Sequence, residues 1–214
     1  MERSEAITKL NTLVGEDLRQ LADHHRITVW SKVGNKYNKN KGWAGHTIER
    51  YLGLALNSSR SPNFGSWELK LVQLTPKRTR ELKVKETMAI TMIDPVEVAS
   101  KEFEESHLFN KLQKMVVVAR VFESKEDKCS LVHSVASFDL DNPQIYQQVK
   151  ADYNLVRETI ITQGFSKLSG TMGKLVQPRT KGRKGSNSRA FYARTSFVAH
   201  ILGEGYSVPL PVKP

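Results

Sequence analysis

The sequence predicts an α/β fold in which a mixed central sheet is flanked by helices, and three segments carry that prediction. Residues 114–123 (KMVVVARVFE) have the continuous apolar character of a central strand covered on both faces. Residues 67–74 alternate, setting Trp67, Leu69 and Leu71 against Glu68, Lys70 and Gln73, as in a half-buried strand. Residues 143–164 place Ile145, Val149, Tyr153, Val156 and Ile160 at three- and four-residue steps, the spacing of a long amphipathic helix.

The remaining elements follow in chain order. Residues 4–24 set Ile7, Leu10, Leu13, Val14, Leu18 and Leu21 at helical spacing behind Ser4 as N-cap, which predicts one amphipathic helix closing on the core. Residues 35–41 (NKYNKNK) read as a basic loop, and helical periodicity resumes over 42–52 through Trp43, Ile48 and Leu52. Residues 57–66, rich in Ser, Asn, Pro and Gly, form a turn that feeds the strand at 67–74. A second strand is expected over 83–93 (Val84, Met88, Ile90, Met92), a helix over 107–114 and a further strand over 130–137. A basic tail follows the long helix. One domain is expected over 1–205, with 206–214 (YSVPLPVKP) as a proline-rich linker or tail to a second domain C-terminal to Pro214.

Composition narrows the function classes. The 214 residues carry a formal charge of +11 and a pI near 9.7, a surplus that points to a polyanionic partner, nucleic acid before an acidic membrane surface. The N-terminus lacks the basic tip and apolar run of a signal peptide, and no stretch of eighteen apolar residues occurs, so no membrane span is expected. A lone cysteine, Cys129, permits neither an internal disulfide nor a cysteine-based zinc site, which suits a reducing cytoplasm. His46 and His107 lack metal-ligand spacing to another histidine, and Asp139, Asp141 and Asn142 read as a turn, since no glycine or closing glutamate follows.

Chemistry concentrates in SPNFGSWELK, residues 61–70, where a Pro-Asx pair precedes a strand opening with Glu-x-Lys. Hydrolysis of a phosphodiester calls for a divalent cation that polarises the phosphoryl oxygen and acidifies water, and hard Mg2+ takes carboxylate oxygens. An acid at the turn and Glu68 on the strand can share one cation, while Lys70, two residues on, shares the face of Glu68 and can hold the attacking water. The turn position holds Asn63, whose amide oxygen is a weak ligand without charge, so cutting by this chain is expected to be impaired. The asparagine is either an engineered substitution or a natural loss in a binding module.

The segments KGWAGHTIE (41–49), continuing RYLG, and SPNFGSWELK (61–70) resemble the MutH family of endonucleases, a group that includes the strand-nicking mismatch-repair enzyme and type II restriction endonucleases cutting at GATC. LKVKETMAIT (82–91), SHLFNKLQKMVVVA (106–119), GKLVQPRTKG (173–182) and SRAFYARTSFVAHIL (188–202) follow in the family's order, so the resemblance covers most of the chain from about residue 40, with the Sau-three-A type as the nearest likeness. The resemblance implies a restriction-endonuclease-like, PD-(D/E)xK fold, Mg2+ as cofactor and double-stranded DNA containing GATC as partner. It implies that Glu68 and Lys70 are catalytic, that Glu49 faces the same metal site and that Asn63 stands where the family has aspartate.

The interval from Lys174 to Arg194 holds seven basic residues and no acid, with Phe191 and Tyr192 among them, which suits a grip on phosphates and the reading of guanine edges. By resemblance, Arg179 and Lys181 match basic residues of the recognition loop, Tyr192 matches an aromatic residue at the target adenine, and Glu86 matches a carboxylate that reads a base. Lys41 is expected near the cut strand, with Lys111 or Lys114 at the site as well. Arg183, Lys184 and Arg189 complete the expected DNA-binding set. A mismatch-repair nicking enzyme and a sequence-specific DNA-binding pseudo-nuclease are the alternative readings.

Overall fold

The computed structural model describes residues 1–54, 62–79, 81–183 and 185–203. Lys184, the predicted tail at 206–214 and part of the predicted turn at 57–66 lie outside these residues. In chain order the elements are α1 (Arg3–Asn11), α2 (Leu18–His24), β1 (Trp30–Val33), β2 (Lys36–Lys39), α3 (Trp43–Tyr51), β3 (Glu68–Pro76), β4 (Leu82–Val84), β5 (Met88–Met92), α4 (Pro95–Ser100), α5 (His107–Leu112), β6 (Lys114–Val121), β7 (Val132–Asp139), α6 (Pro143–Gln163), β8 (Val176–Thr180), β9 (Arg189–Ala193) and α7 (Thr195–Ile201). Among the described residues no helix is long and apolar enough to cross a membrane.

The central sheet has the order β4-β3-β6-β7, with β3 parallel to β6 and the outer pairs antiparallel. Strand β6 is buried from Met115 to Val121, as its unbroken apolar run requires. Its alternate side chains divide two cores: Met115, Val117, Ala119 and Val121 join one, packed with residues of α5, α6 and α7, and Val116 and Val118 join the other, packed with residues of α1, α2 and α3. Helices therefore cover both faces of the sheet, as expected for the class.

Four sequence expectations are corrected. The N-terminal helix is two, because Gly15 takes φ +90° and Asp17 then caps α2 by accepting from the Arg19 N–H; Ser4 is not the cap of α1, which begins after Glu2. The basic loop at 35–41 contains β2, paired antiparallel with β1 across a turn at Gly34, whose φ is +60°. The strand at 83–93 is two strands in different sheets, β4 on the central sheet and β5 in a three-stranded sheet of order β5-β9-β8. The basic tail is not a tail, since β8 and β9 form the rest of that second sheet and α7 packs back on the core.

Two features place the second sheet. Lys85 to Thr87 link β4 to β5, and this strap is pinned at both ends: the Lys85 N–H donates to the Gln73 carbonyl at 2.8 Å, and Thr87 Oγ1 accepts from Arg179 at 2.7 Å. On the other side, buried Asp152 of α6 accepts from the backbone N–H groups of Lys174, Leu175 and Val176 at 2.8, 2.7 and 2.8 Å. Gly173 has φ +73°, and a Cβ there would stand 1.9 Å from the Val176 carbonyl oxygen, so only glycine fits the approach to β8. Arg194 then donates to the carbonyls of Gly170, Met172 and Gly173.

Candidate active site

Strand β4 pairs with β3 only at Leu74, Thr75 and Pro76, so the first part of β3, which carries Glu68 and Lys70, has β6 on one side and an open cleft on the other. That cleft lies between the two sheets. Its walls bring together Lys41, Glu49, Lys70, Glu86 and Tyr192, with Gln73, Thr87 and Arg120 beside them.

Local structure explains why each group faces inward. Before β3 the chain turns through Pro62 to Trp67, with Gly65 at φ +76° and the Phe64 and Trp67 rings stacked 3.9 Å apart and nearly parallel. Trp67 is buried, so the stack holds the turn against the core and fixes Asn63 over the start of β3. Helix α3 starts after Gly42, whose N–H donates to Asn40 Oδ1, and it buries Trp43, Ala44, Thr47 and Ile48 while leaving Glu49 half-buried at the cleft. The Trp43 indole donates to Asp127 Oδ2, and Arg120 and Lys39 pair with the same carboxylate, which ties α3 to β6 and to the β1–β2 hairpin.

The four residues expected to form the catalytic set converge. Glu68 is 1% exposed, and its Oε2 accepts from the Asn63 N–H at 3.0 Å. Its Oε1 accepts from Lys70 Nζ at 2.5 Å and from Lys111 Nζ at 3.1 Å. The Asn63 amide Nδ2 donates to Glu49 Oε1 at 3.1 Å. Burial raises the pKa of Glu49, against the opposing pull of His46 and Lys70. Burial lowers the pKa of Lys70, and the neighbouring Glu68 carboxylate works the other way.

The DNA-facing candidates distribute unevenly. Lys111, buried at the end of α5, joins the catalytic set directly, whereas Lys114 opens β6 as an exposed side chain. Lys181 follows β8 closely enough to act electrostatically on Lys70. Arg179 lies over the Tyr192 ring, 5.7 Å from its centroid, and Glu86 is exposed on the strap beside them. Arg183 is exposed in the β8–β9 loop, and Arg189 donates to Thr180 Oγ1 across that hairpin. Arg194, counted in the basic run, is spent on three carbonyls instead. Sequence reasoning missed Gln73, Thr87 and Arg120, which line the cleft; only the odd placement of Arg120 inside an apolar strand signalled one of them.

As metal donors the site offers oxygen alone: the carboxylates of Glu49 and Glu68 and the amide oxygen of Asn63. Among the described residues no group of three or more His, Cys, Asp or Glu is placed to hold a metal ion. Two carboxylates and one neutral oxygen suit a hard divalent cation by donor type, at one negative charge fewer than an aspartate at 63 would supply.

Comparison with known proteins agrees with the geometry. A family model described as the DNA mismatch repair enzyme MutH matches residues 52–152. The chain is similar to the DNA mismatch repair protein MutH of Vibrio cholerae serotype O1, at 25% identity across 96% of this chain and 97% of that protein. It is similar to MutH of Shewanella sp. (strain MR-4), at 26% identity across 94% of each, and to MutH of Actinobacillus pleuropneumoniae serotype 3, at 26% identity across 96% and 95%. A solved structure, a restriction endonuclease MvaI-cognate DNA substrate complex, aligns over 86% of this chain and 94% of that one at 11% identity and a TM-score of 0.35. The likeness to proteins named MutH therefore runs along nearly the whole chain, and the family model matches its central part.

Proposed function

We propose that this chain is a cytoplasmic, Mg2+-dependent, site-specific DNA endonuclease of the type II restriction kind, which recognises GATC in double-stranded DNA and whose cutting is slowed by Asn63. The observation that carries the reading is the hydrogen-bonded meeting of Glu49, Asn63, Glu68 and Lys70, with Glu49 and Lys70 lining a cleft that Tyr192 of the second sheet also lines. Charge agrees with it, since the net +11 is the balance expected of a protein that displaces counterions from DNA.

Glu68, Glu49 and the Asn63 amide oxygen would hold the metal. When bound, it supplies charge neutralisation at the scissile phosphate and a more acidic water. The chain's own residues do the rest. Lys70 positions the attacking water and, because burial favours its neutral form, can take up a proton from it. Lys111 holds Glu68 from the other side and faces the charge that develops on the phosphate. Lys41 and Lys181 draw the backbone into the cleft, and Glu86, Arg179 and Tyr192 face base edges. Arg183, Arg189 and Lys114 add phosphate contacts at the rim, and Lys184 remains a candidate contact by its charge.

A second reading, a mismatch-repair nicking endonuclease, is favoured by the end-to-end likeness to proteins of that name. One experiment decides. Asn63→Asp protein is incubated with Mg2+ and supercoiled plasmid with or without GATC. Linear product only from the GATC plasmid supports the restriction enzyme, and nicked circles support the repair enzyme. Intact plasmid together with no preference for GATC duplexes in binding would refute both.

A further inference from the structure

We propose that the β1–β2 hairpin is a second grip on DNA, holding the backbone of the duplex where it runs on outside the cleft. The inference rests on the endonuclease reading for the DNA in the cleft, and it adds a surface to which none of that reading's residues belongs.

The segment from His24 to Ile48 holds five Lys and Arg residues and no Asp or Glu. Much of that charge sits on a two-stranded ribbon. Its register sets Trp30 opposite Lys39 and Lys32 opposite Tyr37, so these four side chains share one face. Lys32 and Lys36 are exposed, Tyr37 is 68% exposed and Trp30 is 40% exposed. Packing does not account for them, since no residue of β2 is buried.

The stem of the hairpin, by contrast, is fastened down. Lys39 donates to the Lys125 carbonyl at 2.8 Å and pairs with buried Asp127, and the Trp30 indole donates to the Glu126 carbonyl at 3.0 Å. The Asn40 N–H donates to the Val29 carbonyl at 2.9 Å, and its Nδ2 to the Thr28 carbonyl at 3.0 Å. A rigid stem lowers the ordering cost that a loose loop would bear on binding. The acids nearby are engaged: Asp23 pairs with Arg19, Asp127 with Arg120 and Lys39, and Glu126 lies in the field of Lys125 and Lys128. Among the described residues Lys32 and Lys36 have no carboxylate partner, so their charge is open to an outside anion.

That anion is identified by position. Lys41, two residues beyond β2, lines the cleft. At about 3.3 Å per residue, the turn at Gly34 stands at most roughly 25 Å along the chain from that rim. DNA covers the same span in about seven base pairs. A duplex leaving the cleft on this side would meet Lys32 and Lys36 as phosphate contacts and the Tyr37 hydroxyl as a hydrogen-bond donor. A two-stranded ribbon also has the width that the major groove admits.

The test measures affinity in calcium for duplexes of about 12 and about 30 base pairs, with and without a central GATC, across a range of salt. The whole chain is compared with Lys32→Gln/Lys36→Gln, which keeps most of each side chain and removes its charge, and with Lys32→Arg/Lys36→Arg. The glutamine pair should bind the long duplex on the order of 10-fold more weakly, with a salt slope smaller by about two, and the short duplex within about 2-fold of the unsubstituted chain. The arginine pair should match the unsubstituted chain on both. Unaltered affinity and slope of the glutamine pair on the long duplex, or an equal loss on both lengths, overturns the inference and leaves the endonuclease reading intact. The same holds if the arginine pair loses as much as the glutamine pair. A loss confined to the long duplex but blind to GATC upholds the hairpin grip and sinks the site-specific reading. Failure of the unsubstituted chain to bind either length overturns both.

Discussion

Replacing Asp152 with alanine tests how the second sheet is carried. The carboxylate is 3% exposed on α6 and accepts from three consecutive backbone N–H groups, Lys174, Leu175 and Val176, as well as from Gln148 Nε2 at 2.9 Å. Truncation strands these donors. Val176 is buried, so its N–H pays close to the full desolvation cost of an unmatched group, about 1–3 kcal/mol. The N–H groups of Lys174 and Leu175 lie nearer solvent, and each loses a charge-assisted bond partly replaced by water, about 1 kcal/mol apiece. The sum is about 3–5 kcal/mol, or a fall in melting midpoint of roughly 6–20 °C for a chain of this length. Urea unfolding of the unsubstituted chain, Asp152→Ala and Asp152→Asn measures it, with the asparagine expected between the other two because it retains one acceptor. A loss below about 1 kcal/mol for Asp152→Ala would show that the three bonds are readily replaced and that α6 does not anchor β8.

Three further outcomes follow from the geometry. Gly173→Ala should cost more than Gly15→Ala in the same unfolding assay: both sit at positive φ, but a Cβ at 173 meets a carbonyl at 1.9 Å whereas one at 15 meets nothing within 4 Å. Equal losses would mean that φ alone sets the cost, about 1 kcal/mol. Lys111→Met in the Asn63→Asp protein should lower the cleavage rate by at least about 100-fold and the melting midpoint with it, because buried Glu68 then keeps only Lys70 as a cationic partner. Glu49→Gln should stabilise the metal-free protein at neutral pH but not in acid. The raised pKa of Glu49 means that the folded state holds its proton more tightly than the unfolded chain, so stability is full below the unfolded carboxylate pKa and declines as pH rises through the folded one. Parallel pH–stability curves for the two proteins would contradict the raised value.

Much of this was legible in the sequence, for identifiable reasons. Strand β6 and helices α3, α5 and α6 follow from periodicity that burial enforces directly, whereas β3, expected half-buried, is covered on both faces, with Leu69 in one core, Val72 and Leu74 in the other, and Glu68 buried. The cluster of Glu49, Asn63, Glu68 and Lys70 was legible because Glu68 and Lys70 share a strand face, and a turn and a helix bring Asn63 and Glu49 to it. Other elements left weak marks. The break between α1 and α2 is hidden because apolar spacing continues across it, while the real signals are Gly15 and Asp17. The hairpin of β1 and β2 is exposed along most of β2, so no alternation of apolar residues reveals it. Strands β8 and β9 were masked by their own basic residues, which stand outside while Val176, Gln177, Ala190, Phe191 and Ala193 are buried. Charge alone also misassigned Arg194, whose guanidinium serves the loop before β8.

The strap at residues 85–87 is short, and each of its ends is fastened to a different sheet. Its length therefore works as a spacer between the surface that carries Lys70 and the surface that carries Tyr192. Inserting or deleting a residue there would change how far apart Lys70 and Tyr192 stand while leaving the packing of either sheet untouched. Under the proposed function, a lineage built on this frame could in that way shift its cutting position relative to the bases it reads without rebuilding a core.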